Sequence, residues 1–435
     1  MLNYDLAPRP AIIFGCLLPA PWLGVLAGVM LAIAPGEGLP HRFSPIVLSL
    51  THILALGMLA PVMIGALFQL FPVVGGQAVR LSRYIAPFLA LGSSAIALSL
   101  SYAFYYHSSF SFSLAFGLAA VLFSAVVIAL FDAGMAMRLP PHRDASLLTL
   151  RAIALPLFSL VSFGLGLLAS LLASLLGWWT IDLLSVLRLH VAWALIGWLA
   201  CLILGVATTV FPMFWQCPRP APVWHRFTPV PIWTGLLLYS ATGSDSLQTV
   251  ILTVVLVFVC SLLCFALRHV LKAKRRFDAA WPLWLLCVTS WLIAALLSLL
   301  CMHATSVLPE PVVNSMPWMI GVLVLVGGGV CAVNAMLGKI IPFLVFLHLR
   351  RTIPMGQCIP SMQLILPPKY LKWQAHLLML SLMSLLLLPM LPSLFRIAGG
   401  ILFAISQAFL AVLLLKCLFQ FRQHLRIYLL GTVKT

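Results

Sequence analysis

Carboxylates are nearly missing from this chain: eight Asp and Glu stand among 435 residues. Asp5, Glu37, Asp132, Asp144, Asp182, Asp245, Asp278 and Glu310 all fall at or near the ends of apolar runs. Paired-carboxylate acid–base chemistry, and a proton or ion route built on buried acids, are therefore not written into the apolar interior. Charge of either sign is scarce, 8% of residues against about a quarter in soluble domains. The ten cysteines form no CxxC pair and are scattered through apolar segments, so they read as packing residues and not as a zinc site or disulfide framework. The stretches between apolar segments are too short to carry a soluble domain.

What fills the chain is apolar: 63% hydrophobic residues and a mean hydropathy of +1.14. This is the composition of a polytopic membrane protein, in which roughly 20 apolar residues cross a bilayer core of about 30 Å and each helix satisfies its own backbone. We expect an all-α membrane protein with about twelve spans, beginning near residues 10, 45, 83, 111, 151, 187, 229, 247, 280, 314, 372 and 394. The seventh, near Pro229 to Gly243, is short and carries proline. The first follows only Asp5 and Arg9, lacks a small-residue cleavage site, and reads as a membrane helix and not a removed signal peptide.

The formal charge of +17 is topological. With the N-terminus in the cytoplasm, twenty of the twenty-five basic residues gather on the inner side, including the run Arg268, Lys272, Lys274, Arg275 and Arg276. Arg42, Arg188 and Arg396 alone lie outside. The positive-inside rule then places both termini in the cytoplasm of a bacterial-type inner membrane. Nucleic acid is not an expected partner; the lipid bilayer is.

Three spans share a design. Thr51 to Gly76 carries His52 near its start and leaves through Pro72 and a glycine pair; LRLHVAWALIGWLACLILGVATTVFPMF carries His190 and Pro212; GVCAVNAMLGKIIPFLVF keeps Pro342 and has no histidine. The exits are 140 and 130 residues apart, and each separation holds four expected spans. The second, sixth and tenth spans are thus expected as inner staves of three four-helix pseudo-repeats, about 10–137, 151–270 and 280–419, within one membrane domain, 1–435. Gln69, Thr209 and Lys339 each stand three residues before a proline and are expected at one depth, facing a shared interior; Lys339 can instead reach the inner interface.

Of eleven histidines, His142, His225, His269, His348, His376 and His424 are expected among the solvated cations of the inner side. His52 and His190 lie inside apolar segments, and His303 closes the ninth span on the same side. An intramembrane histidine is a functional candidate, and neutral imidazole binds haem iron, copper or zinc.

These residues carry a resemblance. The segment from His52 through Met58, Met63, Gly65, Pro72, Gly75 and Gly76 to Pro87 resembles the second helix of the catalytic subunit of haem-copper oxidases, a family with twelve helices and threefold pseudosymmetry. The resemblance implies His52 as an axial ligand of a b-type haem, and His190 as a second haem ligand or, with His303, a copper ligand. The seventh span has no His-His pair and the tenth no His-x-His, so a complete terminal oxidase is not expected. The depleted set is more similar to NnrS-type membrane proteins, which implies redox, sensing or detoxification chemistry with nitric oxide or oxygen and a redox partner. Met316 and Met319 are the other candidate ligands at matching depth. A transporter of metal, haem or a small molecule is the alternative, although a six-plus-six repeat does not match exits that recur after four spans.

Overall fold

Uninterrupted apolar runs leave the backbone no partner in lipid but itself, and the runs in this chain fold accordingly. The computed structural model describes residues 6–36, 38–137, 182–220, 230–354 and 358–432, with a few positions between 166 and 180. Among the described residues every regular element is helical. Ten of the described helices are long and apolar enough to cross a membrane. They are α1 (Pro10–Ile33, interrupted at Leu18 and Pro19), α2 (Pro45–Gly75), α3 (Ser82–Tyr106), α4 (Ser109–Ala136), α5 (Leu183–Trp215), α7 (Asp245–Leu271), α8 (Trp281–His303), α9 (Glu310–Thr352), α10 (Pro368–Leu387) and α11 (Pro392–Thr432). Between α5 and α7 lies α6, Val230–Ala241, whose 12 residues extend only about 18 Å. The described part of the expected seventh span is thus shorter than a bilayer crossing, and the expected fifth, near residue 151, lies outside the described residues.

Local chemistry sets the helix ends. Pro45 and Pro368 open α2 and α10, where a missing N–H costs nothing. Ser108, Asp182 and Ser244 accept from the backbone N–H groups of Ser111, Ser185 and Leu247, satisfying orphan donors at the starts of α4, α5 and α7.

The second, sixth and tenth expected spans are α2, α5 and α9. Buried residues make up 78%, 56% and 78% of their most apolar windows, against at most 50% in any other span, so these three form the interior. Each contains one stretch of π-helix: Ile53–Leu59, Trp193–Ala200 and Leu323–Val330. Each stretch begins nineteen residues before the helix proline, Pro72, Pro212 or Pro342. A π-turn carries one extra residue and disturbs the i→i−4 ladder. Indoles of neighbouring helices bond carbonyls there: Trp233 Nε1 donates to Gly197 O at 3.1 Å and Trp291 Nε1 to Val324 O at 3.0 Å.

The three stretches meet. A Cβ on Gly329 would lie 2.7 Å from Leu59 Cδ1 and 3.7 Å from Leu199 Cδ2, and these three residues each stand thirteen before their proline. Gly328 lies against Trp291 and Gly327 against Ser290, both on α8. At the rim, α1 and α11 cross backbone to backbone: a Cβ on Gly28 would lie 2.6 Å from Ala404 N, and one on Gly400 would lie 2.6 Å from Gly28 O. Small residues permit such approach where lipid supplies no hydrophobic drive between helices. Outward faces carry Val121, Ile128 and Phe131 on α4 and Val250, Val254 and Val257 on α7.

Candidate functional site

The histidine ends of α2 and α5 bring two imidazoles together. His52 is the last α-helical residue before the π-stretch of α2. Its Nδ1 lies 2.8 Å from Leu48 O; a carbonyl only accepts, so Nδ1 holds the proton and Nε2 is left with its lone pair. His190 comes from α5, three residues before the second π-stretch, and its Nδ1 is buried without a hydrogen-bond partner. The two rings are 6.3 Å apart, centroid to centroid, with planes within 6° of parallel. The Phe104 ring of α3 lies 5.1 Å from His52, backed by Phe112 of α4 at 5.8 Å, so one wall of the site is aromatic.

Two neighbouring features hold α5 in place. Trp193 Nε1 donates to Ser240 Oγ of α6 at 2.9 Å. Asp182 caps the helix, accepting from Ser185 Oγ at 2.5 Å and from Ser185 N at 3.4 Å. These hydrogen bonds, the side-chain one foremost, hold the exposed Asp182 carboxyl below its ordinary value of 3.8.

The other expected site residues distribute differently. His303 Nε2 and Thr253 Oγ1 share a hydrogen bond of 2.8 Å, so the ring expected to join His190 at a metal is engaged by α7. Among the described residues, no group of three or more His, Cys, Asp or Glu side chains is placed to hold a metal ion. Gln69 and Thr209 both line an apolar cleft between α2, α5 and α9, and Gln69 Oε1 is buried without a partner. Lys339 does not join them: its ammonium pairs with Asp278 in the turn before α8. The lysine reaches the end of the bundle where a counter-ion is available, because an unpaired ammonium in lipid is costly. His348, expected in solvent, is 7% exposed with Nε2 unpartnered. His142 and His225 lie outside the described residues. Met316 is packed in the core, 2% exposed.

Sequence reasoning passed over Asn334, about two turns of helix before Pro342 in α9. It is 1% exposed and both its amide atoms lack partners. The signal was present, a lone amide inside an apolar run. Asp278 was also missed as a partner of Lys339, because the two are 61 residues apart.

No protein-family model matches the chain, and no curated protein matches it significantly.

Proposed function

We propose that this chain is a haem-binding integral membrane protein acting in redox chemistry or in sensing or removal of nitric oxide or oxygen, with His52 and His190 as the residues that hold the iron. One observation carries the reading: two parallel imidazoles from adjacent central helices, 6.3 Å apart. Imidazole nitrogens lie about 2.0 Å from a bound metal, and adding the half-width of each ring puts two ligands of one ion roughly 6 Å apart between centroids. The residues fit a haem better than a closed zinc site, which takes about four protein ligands; the macrocycle brings four nitrogens of its own and asks the chain for one or two. A b-type haem is favoured, since no CxxC precedes a histidine for covalent attachment.

When bound, haem supplies one-electron chemistry and an affinity for diatomic ligands. The chain's residues do the rest. Leu48 O fixes the His52 tautomer and ring angle, and Phe104 closes a side of the site. His52 and His190 together would hold a haem suited to electron transfer, and His52 alone would hold one able to take up nitric oxide or oxygen. Copper at His190 is the lesser cofactor reading, because His303 is held by Thr253.

We further read α2, α5 and α9 as equivalent members of three four-helix units in a haem-copper oxidase-like bundle of the NnrS type. The common nineteen-residue offset from π-stretch to proline supports this, as does the meeting of Leu59, Leu199 and Gly329. On this reading both termini are cytoplasmic, the membrane is a bacterial-type inner membrane, and a redox partner supplies electrons. A transporter of metal, haem or a small molecule is the second reading, favoured by the cleft between the same three helices, about 1020 Å³ counting its open mouth.

The visible spectrum of purified protein separates them. We expect a Soret band that shifts on reduction, is lost in His52→Ala, is altered in His190→Ala and is unchanged in His376→Ala, an exposed histidine. A colourless preparation from haem-replete cells sinks the haem reading.

A further inference from the structure

We propose that the cleft between α5, α7 and α8, together with the basic loop at its mouth, binds one anionic phospholipid, an acyl chain in the cleft and the phosphate on the loop. The inference is independent of haem.

The cleft has an empty volume of about 770 Å³ counting its open mouth, and its walls are almost wholly apolar, with Leu204, Phe211, Leu262, Ala266 and Trp284 among them. One end is marked by His269 and Val270, in the last turn of α7. His269 Nδ1 donates to Phe265 O at 3.0 Å, leaving Nε2 uncommitted at that rim. Two residues further on the chain leaves α7 and enters the loop 272–280.

That loop presents Lys272, Lys274, Arg275 and Arg276, all exposed. Its single acid does not neutralise them. Asp278 pairs with Lys339 of α9 and accepts from Ala280 N at 3.0 Å, so its charge is spent within the protein. Nor is the loop a loose tether. Arg275 N donates to Trp215 O at the end of α5, Asp278 N to Arg275 O, and Trp281 N to Asp278 O, while Ala273, Ala279 and Ala280 are buried. The result is a fixed platform of four cations beside an apolar slot.

Phe277 decides what the platform faces. It is 76% exposed between Arg276 and Asp278, a poor placement in water and a good one at headgroup level, where aromatic rings anchor membrane proteins. Charge asymmetry alone accounts for cations on this side, but not for an apolar slot opening beside them or for the ring. An amphiphile with an anionic head satisfies all three, and a phosphate diester is the anion a membrane supplies to a polybasic segment.

The test uses full-length protein in detergent, with thermal unfolding followed by tryptophan fluorescence during titration with dioleoylphosphatidylglycerol, dioleoylphosphatidylcholine, oleate or inorganic phosphate. Saturable stabilisation by phosphatidylglycerol, well beyond that of phosphatidylcholine, is expected, since a ligand of the native state raises its stability. Removing charge in Arg275→Gln with Arg276→Gln is expected to weaken phosphatidylglycerol about fivefold per residue. Ala266→Phe, which narrows the slot and keeps every charge, is expected to remove the saturable effect, and Arg422→Gln with Arg426→Gln to leave it intact. Should a variant unfold, counting phosphatidylglycerol retained by wild type and by Phe277→Ser in native mass spectrometry decides instead, with lower retention by Phe277→Ser expected and equal retention overturning the proposal. Equal response to both phospholipids, or an unchanged response in the loop and slot variants, overturns it. So does stabilisation of equal size by oleate or phosphate alone, which would make this a fatty-acid or free-anion site.

Discussion

A histidine in an apolar run is legible because it is expensive: it needs a partner, a ligand or water. His52 and His190 stand out on that ground, and the structure sets their rings side by side. Their mutual approach was not legible, since which way each ring points depends on helix rotation, and a π-turn adjoins both. Lys339 shows the reverse. Its spacing from Pro342 matches those of Gln69 and Thr209, yet the side chain goes to Asp278, a partner no periodicity reveals. Asp182 gives a prediction at this scale. Its carboxyl is held below its ordinary value by Ser185, so the charged cap contributes above that value and is lost as pH falls through the lower, folded-state value. Amide exchange at Ser185, corrected for intrinsic rate, is expected to quicken as buffer pH drops below 3.8, while exchange in the middle of α5, corrected likewise, stays unchanged. Asp182→Asn is expected to abolish the pH dependence, because its amide oxygen accepts without titrating.

Helix existence was readable from apolar length, and ten of twelve expected spans are found. The π-stretches were not, because an extra residue per turn leaves no mark in composition; proline offsets reveal them only after the fact. Two substitutions test the elements. Gln216 ends α5 with φ +53°, at the place where Gly76 ends α2 with φ +65°. A left-handed non-glycine residue costs about 1–2 kcal/mol, and glycine loses about 0.5–1 kcal/mol through unfolded-chain freedom. Gln216→Gly is therefore expected to stabilise by roughly 0.5–1 kcal/mol, read as a higher melting temperature. In contrast, Gly328→Ala puts a Cβ 1.7 Å from Trp291 Nε1. Trp291 must move and surrender its bond to Val324 O, and a loss of about 1–3 kcal/mol is expected, measurable by the same melt with a shift in tryptophan emission.

At the scale of the molecule, composition alone gave a membrane bundle, and proline spacing pointed to α2, α5 and α9 as its interior. The lipid cleft was not legible, because its walls come from three helices scattered over some ninety residues. The expected sidedness can be tested with native thiols. Cys358 is exposed, and Cys217 is buried, its thiol pushed up to about 11 by burial. A membrane-impermeant maleimide is expected to label Cys358 in inside-out vesicles and not in right-side-out cells. Cys217 is expected to resist at pH 8, since burial holds it as the thiol and the thiolate is the nucleophile. Labelling of Cys358 from outside would reverse the topology and every assignment of side that follows from it.

The crossing of α1 and α11 also bears on how the chain comes to exist. Gly24 and Gly28 accept Gln407 and Ala404 at their surface, and Arg396 Nη1 bonds the carbonyls of Ala32 and Ala34. Of these two helices α1 is translated first, so its glycine face is completed only once α11 is inserted. Until α11 emerges, the glycine face of α1 must wait in lipid beside whatever has already been inserted. A chain arrested before Pro392 therefore leaves the glycine face of α1 without its partner helix.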